Sequence, residues 1–182
     1  VPEDKTWAHL LAHRRAATLL NLSTPEATVA HGIANIPKVL NVNPSWYISQ
    51  FGEWSLFRRG GPDKENVEPL RYFIRNYEIL IRTMQRYNVE VCLVTPPPQL
   101  YHEGFAADAK EYTAAVRELA FTHGTHLLDA SALMAADAAF VLKDEVDSWF
   151  DVPTRECLHY SMKGHALVAS YFEMLEHREI GT

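Results

Sequence analysis

Leu70, Phe73, Ile74, Tyr77, Leu80, Ile81 and Met84 recur at steps of three and four, so they form one apolar stripe along a helix of about four turns. Directly after it the period changes. Val89 to Val94 is a short valine-rich run, closed by Thr95-Pro96-Pro97-Pro98. A helix with one apolar face must bury it, and an apolar strand next in sequence offers the surface to do so. The pair predicts a helix lying on a sheet, and the remaining segments have to be compatible with that layer.

They are. Thr6 stands as an N-cap before Trp7, Leu10, Leu11 and Arg14, which predicts a short first helix. Residues 16–22 are an apolar run ending at Ser23-Thr24-Pro25, read as a buried strand and a turn. A second helix is expected over 26–41, interrupted or bent by Pro37. Asn43-Pro44 breaks the chain before a strand at 46–51, which stops at Gly52, and a polar loop follows at 58–65. Beyond Pro98 come a helix presenting Tyr112, Ala115, Val116 and Leu119, a short strand at His126-Leu127-Leu128-Asp129 and a small helix near 132–139. A loop containing Trp149 and Pro153 leads to a last helix from about Met162, with Leu167 or Val168, Ala169, Phe172 and Leu175 on its face. Strands alternating with helices predict an α/β fold with a mainly parallel sheet and helices on both faces, a three-layer α/β/α sandwich. The loop at 58–65 is too short to divide two cores, so residues 1–182 read as one domain.

Composition removes several classes of function. The net charge is −6 and the longest basic cluster is Arg58-Arg59, which argues against a nucleic-acid or anionic-membrane surface. No run approaches the ~20 apolar residues of a membrane span. Residues 1–15 hold no signal peptide, which leaves the compartment open, as does the sequon-like Asn21-Leu22-Ser23. Cys92 and Cys157 cannot form a structural zinc site alone, and Cys92 reads as a buried thiol in an apolar strand. His9 and His13 lie one helical turn apart without a third ligand, and His123 and His126 flank a helix end where a cationic ring is favourable. No cofactor is implied.

In open α/β sheets, ligands bind beyond the carboxyl ends of the strands. The residues there are Ser23-Thr24-Pro25-Glu26, Gly52-Glu53-Trp54, Thr95-Pro96-Pro97 and Ala130-Ser131, and the loop from Glu156 to His159 can reach the same edge. His159 with a carboxylate three positions earlier is the pairing that acyl transfer needs, because an acid fixes the imidazole tautomer and stabilises the imidazolium. That spacing also occurs in ordinary helix caps, and on its own it decides neither way. Trp54, just past a strand, is placed to line an acyl or sugar pocket.

The order of these blocks resembles the SGNH/GDSL hydrolase superfamily. Glu156-Cys157-Leu158-His159, followed by Gly164-His165, has the layout of its last block with Glu in place of Asp, and the Cys-Leu-His-Tyr wording resembles the PC-esterase branch. Asn21 to Thr28 is similar to the second block, Pro44 to Trp54 to the third strand and its Gly-x-Asn-Asp block, and Thr95-Pro96-Pro97 to the next strand end. The resemblance implies a flavodoxin-like sheet and an esterase acting on an acyl or O-acetyl ester, a small ester or a glycan. It implies His159 as base, Glu156 as its orienting acid and Gly52 as a backbone donor, with Glu53, Trp54 and Ser23 around the substrate. An extracytoplasmic location fits it best.

The Gly-Asp-Ser block on the family's first strand is absent. Ser23, Ser49, Ser55, Ser131, Ser148, Ser161 and Ser170 all fall in other settings, and Glu26 and Glu53 stand where the family has oxyanion donors. An ionised carboxylate cannot donate a hydrogen bond. Two expectations follow. Either the nucleophile and the central strand come from a preceding segment or a protein partner, or the chain is a degenerate relative serving as a binding or structural subunit.

Overall fold

The apolar stripe from Leu70 to Met84 lies on helix α4, Leu70–Arg86, and the strand after it is β2, Glu90–Val94. The structure, a computed structural model, describes residues 4, 6–24, 27–52, 69–97, 103–140 and 162–179. Before α4 stand α1 (Trp7–Arg14), α2 (Val29–Ala34), α3 (Ile36–Asn41) and β1 (Trp46–Gln50). After β2 come α5 (Glu103–His123), β3 (His126–Leu128), α6 (Ala130–Phe140) and α7 (Met162–Glu179). The chain divides into two compact units, one of Leu22–Ser131 and one of Val1–Asn21 with Ala132–Thr182.

In the first unit β1, β2 and β3 form a parallel sheet in that order, with Trp46 opposite Glu90 and Cys92 opposite His126. Side chains alternate across a strand, so Val91 and Leu93 share one face with Tyr47 and Leu127. That face meets Phe73, Tyr77, Leu80, Ile81 and Met84 of α4 and Tyr112, Val116 and Leu119 of α5 in one apolar cluster. On the opposite face Cys92, Val94 and Leu128 are also fully buried. Burial on both faces explains why β2 reads as a continuous apolar run instead of an alternating one. The fold is the α/β arrangement expected, and Cys92 is buried as its strand implied.

The second unit places α1 against α7. The backbone N–H of Trp7, at the start of α1 where helical N–H groups lack partners, donates to His165 Nδ1 at 3.1 Å. Leu11, Met134, Val168, Ala169 and Phe172 are buried.

One expectation fails locally, and another resolves into one of its two forms. The strand at 16–22 is not formed: residues 17–24 are irregular and Leu20 is 45% exposed. A short apolar run has no period that fixes it as a strand, and a strand exists only with a ladder partner. The helix over 26–41 is two helices that meet at Asn35. Pro37 has no N–H to offer the carbonyl one turn back, so α2 ends at Ala34, while in the first turn of α3 the missing donor costs nothing. Asn35 closes the first helix, its backbone N–H and side-chain Nδ2 both donating to the His31 carbonyl, at 3.1 and 3.0 Å.

Burial pushes the Tyr47 hydroxyl up to about 12, and Tyr77 higher still. A phenol whose folded pKa lies above its unfolded value keeps its contribution below pH 10 and loses it as pH rises toward the folded value. Stability is therefore expected to fall by about 2 kcal/mol between pH 10 and 12 through Tyr47 alone. Thermal melts at pH 9 and 11.5 check this: Tyr47→Phe should show a shallower alkaline loss than the parent. Parallel losses in the two proteins would refute the assignment.

Candidate functional site

Gly52 leaves β1 through Phe51 with φ +117°, a left-handed conformation that side-chain-bearing residues rarely adopt. It is buried, and a Cβ there would lie 3.1 Å from Pro96 Cγ and 3.6 Å from the Phe73 ring. Beneath it the aromatic rings pack edge to face: Phe51 to Tyr77 at 5.7 Å, Phe73 to Tyr77 at 5.0 Å and Phe73 to Tyr112 at 4.9 Å. Such pairs add about 1 kcal/mol each beyond their area. The backbone at this exit is held from below by a rigid floor and from the side by Pro96. Oriented peptide N–H groups in a fixed frame are what an oxyanion site requires.

The neighbouring exits are joined by a polar node. Thr95, fully buried, donates its backbone N–H to the Leu128 carbonyl at 3.1 Å and its hydroxyl to Asp129 Oδ1 at 3.2 Å. The same hydroxyl accepts the Ser131 N–H at 2.9 Å, which satisfies an otherwise orphan donor at the start of α6. Arg117 of α5 grips Asp129 in a fork, Nε to Oδ2 at 2.7 Å and Nη2 to Oδ1 at 3.1 Å, and this hydrogen bonding raises the guanidinium pKa above its usual value. The Asp129 carboxylate is committed to this bracing.

Asp129→Ala is expected to cost about 2 kcal/mol, most of it from the buried Thr95 hydroxyl. The half-exposed Arg117 recovers water, and its share stays below about 1 kcal/mol. The melting temperature should drop by about 4–8 °C, with about half that drop for Asp129→Asn, which keeps an acceptor for Thr95. Equal melting points for parent and alanine variant would show that the node braces nothing.

Of the site residues that the resemblance implies, Gly52 and Ser23 are described, and so are Thr95, Pro96, Pro97, Ala130 and Ser131 of the strand-exit blocks. Gly52 is brought against Pro96, so two of the strand-exit blocks meet. Ser23 lies exposed in the irregular segment 17–24. His159, Glu156, Glu53, Trp54, Glu26 and Cys157 lie outside the described residues. His165, from the Gly164-His165 pair, accepts the Trp7 N–H through Nδ1, so its ring proton sits on Nε2. The node of Thr95, Asp129 and Arg117 was missed from sequence, although Asp129 directly follows an apolar strand.

Away from this edge, a cavity of about 270 Å³ opens at the amino ends of β2 and β3, among Gln85, Asn88, Glu90, Gly124 and Thr125. Beside it His126 Nε2 lies 3.4 Å from Glu90 Oε2, and its ring stands 4.7 Å from Trp46. Among the described residues no group of three His, Cys, Asp or Glu side chains is placed to hold a metal ion. No helix among them is long and apolar enough to cross a membrane.

Comparison with known proteins supplies the context for this edge. Three solved structures superpose on nearly the whole chain. They are the acetyl xylan esterase AlAXEase (TM-score 0.75, 16% identity, 95% of this chain and 91% of that one), the α/β-hydrolase LAE5 from the metagenome of Lake Arreo, Spain (0.79, 16%, 94% and 81%), and Axe2, an acetylxylan esterase from Geobacillus stearothermophilus (0.77, 17%, 97% and 81%). At such identities the likeness is one of fold. No curated protein matches the chain by sequence. The model of the GDSL-like lipase/acylhydrolase family matches residues 2–167, a span running from α1 through the strand exits and the Glu156–His159 block into α7. By that match and by its sheet, the chain belongs to the GDSL-like lipase/acylhydrolase family.

Proposed function

We propose that this chain carries the base and oxyanion parts of an ester-hydrolase site that cleaves acyl esters, O-acetyl groups on carbohydrate above all. His159 is the general base and Glu156 orients it. The backbone N–H of Gly52 receives the developing oxyanion, and Ser23, Glu53 and Trp54 border the acyl pocket. A serine outside residues 1–182, carried by a preceding segment or a partner chain that completes the sheet, is the nucleophile. Its Oγ attacks the ester carbon while His159 takes the proton. The tetrahedral intermediate then collapses, the alkoxide leaves with that proton, and water repeats the sequence to free the acid.

The single observation that carries this reading is the family match over residues 2–167. The rigid exit at Gly52 supports it, since a fixed N–H stabilises an oxyanion without reorganising. The carbohydrate ester is favoured by the acetyl xylan esterases that share the fold. Glu26 and Glu53, where the family has donors, favour the other reading, a binding or structural subunit without turnover.

Labelling of the full-length polypeptide by a fluorophosphonate probe, with release of acetate from acetylated xylan, separates the two. Labelling together with release supports the hydrolase. A protein inert to the probe and to every acetyl ester offered is a binding subunit.

A further inference from the structure

Helix α4 has a second face. Arg71, Arg75, Arg82 and Arg86 are all exposed, and their spacing puts them within about 60° of arc, along about 22 Å of helix. None makes an ion pair among the described residues. Arg71 only stacks on Tyr72, 4.9 Å from the ring centroid. Glu78 borders the stripe, but its carboxylate turns to His123 Nε2 on α5, 3.8 Å away. Tyr72 and Ile79 flank the arginines and are 44% and 42% exposed.

The helix gains little from this pattern. Arg71–Arg75 and Arg82–Arg86 are like charges one turn apart, each pair destabilising by a few tenths of a kcal/mol. Arg71 also stands in the first turn, where the helix dipole disfavours a cation and no acidic residue offsets it. The net charge of the whole chain is −6, so the stripe is a positive line on a negative protein.

We infer that the arginine face of α4 binds a linear glycan bearing carboxylates, a polyuronate-type chain, and leads it to the strand-exit edge. The identity of the polymer as a glycan rests on the carbohydrate-ester reading above. Guanidinium groups pair with carboxylates through two parallel hydrogen bonds, and Tyr72 offers a ring face to a sugar. A thin polymer touches the stripe alone, whereas an anionic membrane plane would also meet the acidic remainder of the protein. The direction is set by the fold. Arg71 lies two residues before Phe73, whose ring abuts Gly52, and the helix runs from that edge toward Asn88 at the other end of the sheet.

The test is affinity electrophoresis of the full-length protein in gels containing polygalacturonate, neutral xylan, single-stranded DNA or phosphatidylserine vesicles. Polygalacturonate should retard the parent, less so as salt is raised, and neutral xylan should not. Arg75→Glu with Arg82→Glu should weaken binding at least about 10-fold, and Arg75→Lys with Arg82→Lys should restore part of it. Retardation is read on unreacted polymer, so a failed esterase assay leaves this result standing. Equal retardation of parent and charge-reversed protein would overturn the proposal. So would retardation by DNA or vesicles as strong as by polygalacturonate.

Discussion

Replacing His159 by alanine in the full-length protein is expected to lower kcat/KM for p-nitrophenyl acetate by about 10,000-fold, with the protein still folded. In the site proposed above only His159 takes the nucleophile's proton, so without it what remains is oxyanion and binding catalysis. Glu156→Gln should lose about 100- to 10,000-fold, because an amide neither fixes the ring tautomer nor stabilises the imidazolium. Equal rates for parent and variant would remove His159 from the mechanism.

Helix α4 was legible from sequence because only a helix satisfies its period, and strand β2 because its run is short, rich in valine and closed by Thr95-Pro96-Pro97-Pro98. Phe73, Tyr77, Leu80, Ile81 and Met84, picked by spacing, are all fully buried. The same logic located the exits at Gly52, Thr95 and Ala130, since a parallel sheet gathers its strand ends on one edge. The run at 16–22 had no such support, because a continuous apolar stretch fits several buried conformations and pairing decides among them. The 26–41 helix is divided at Asn35 because of Pro37, the position at which the sequence predicts an interruption or a bend.

Two further features escaped for a different reason. Arg117 and Asp129 meet across a helix and a strand exit, and no local pattern encodes that contact. The arginines of α4 were hidden by counting charges along the chain. Arg71, Arg75, Arg82 and Arg86 never form a run, and only the turn of the helix aligns them. Runs and net charge do not register a stripe of this kind.

Gly52→Ala should cost about 3 kcal/mol of stability and, in the full-length protein, most of the esterase activity as well. Two terms add. A residue with a Cβ held at φ +117° carries about 1–3 kcal/mol of backbone strain, and a methyl 3.1 Å from Pro96 Cγ adds overpacking against a proline ring that cannot swing away. Gly124 separates them. It also has positive φ, +60°, but a Cβ there meets nothing within 4 Å, so Gly124→Ala should cost only about 1 kcal/mol. Activity discriminates further. If the Gly52 N–H stabilises the oxyanion, relieving the strain by rotating the peptide moves that donor, and kcat should fall about 100-fold or more while KM changes little. Gly124→Ala, at the far edge of the sheet, should leave kcat as it was. Should the two variants melt together, the close approach of Pro96 contributes nothing. Should Gly52→Ala lose stability but keep its kcat, the strand exit is structural and the oxyanion donor lies elsewhere.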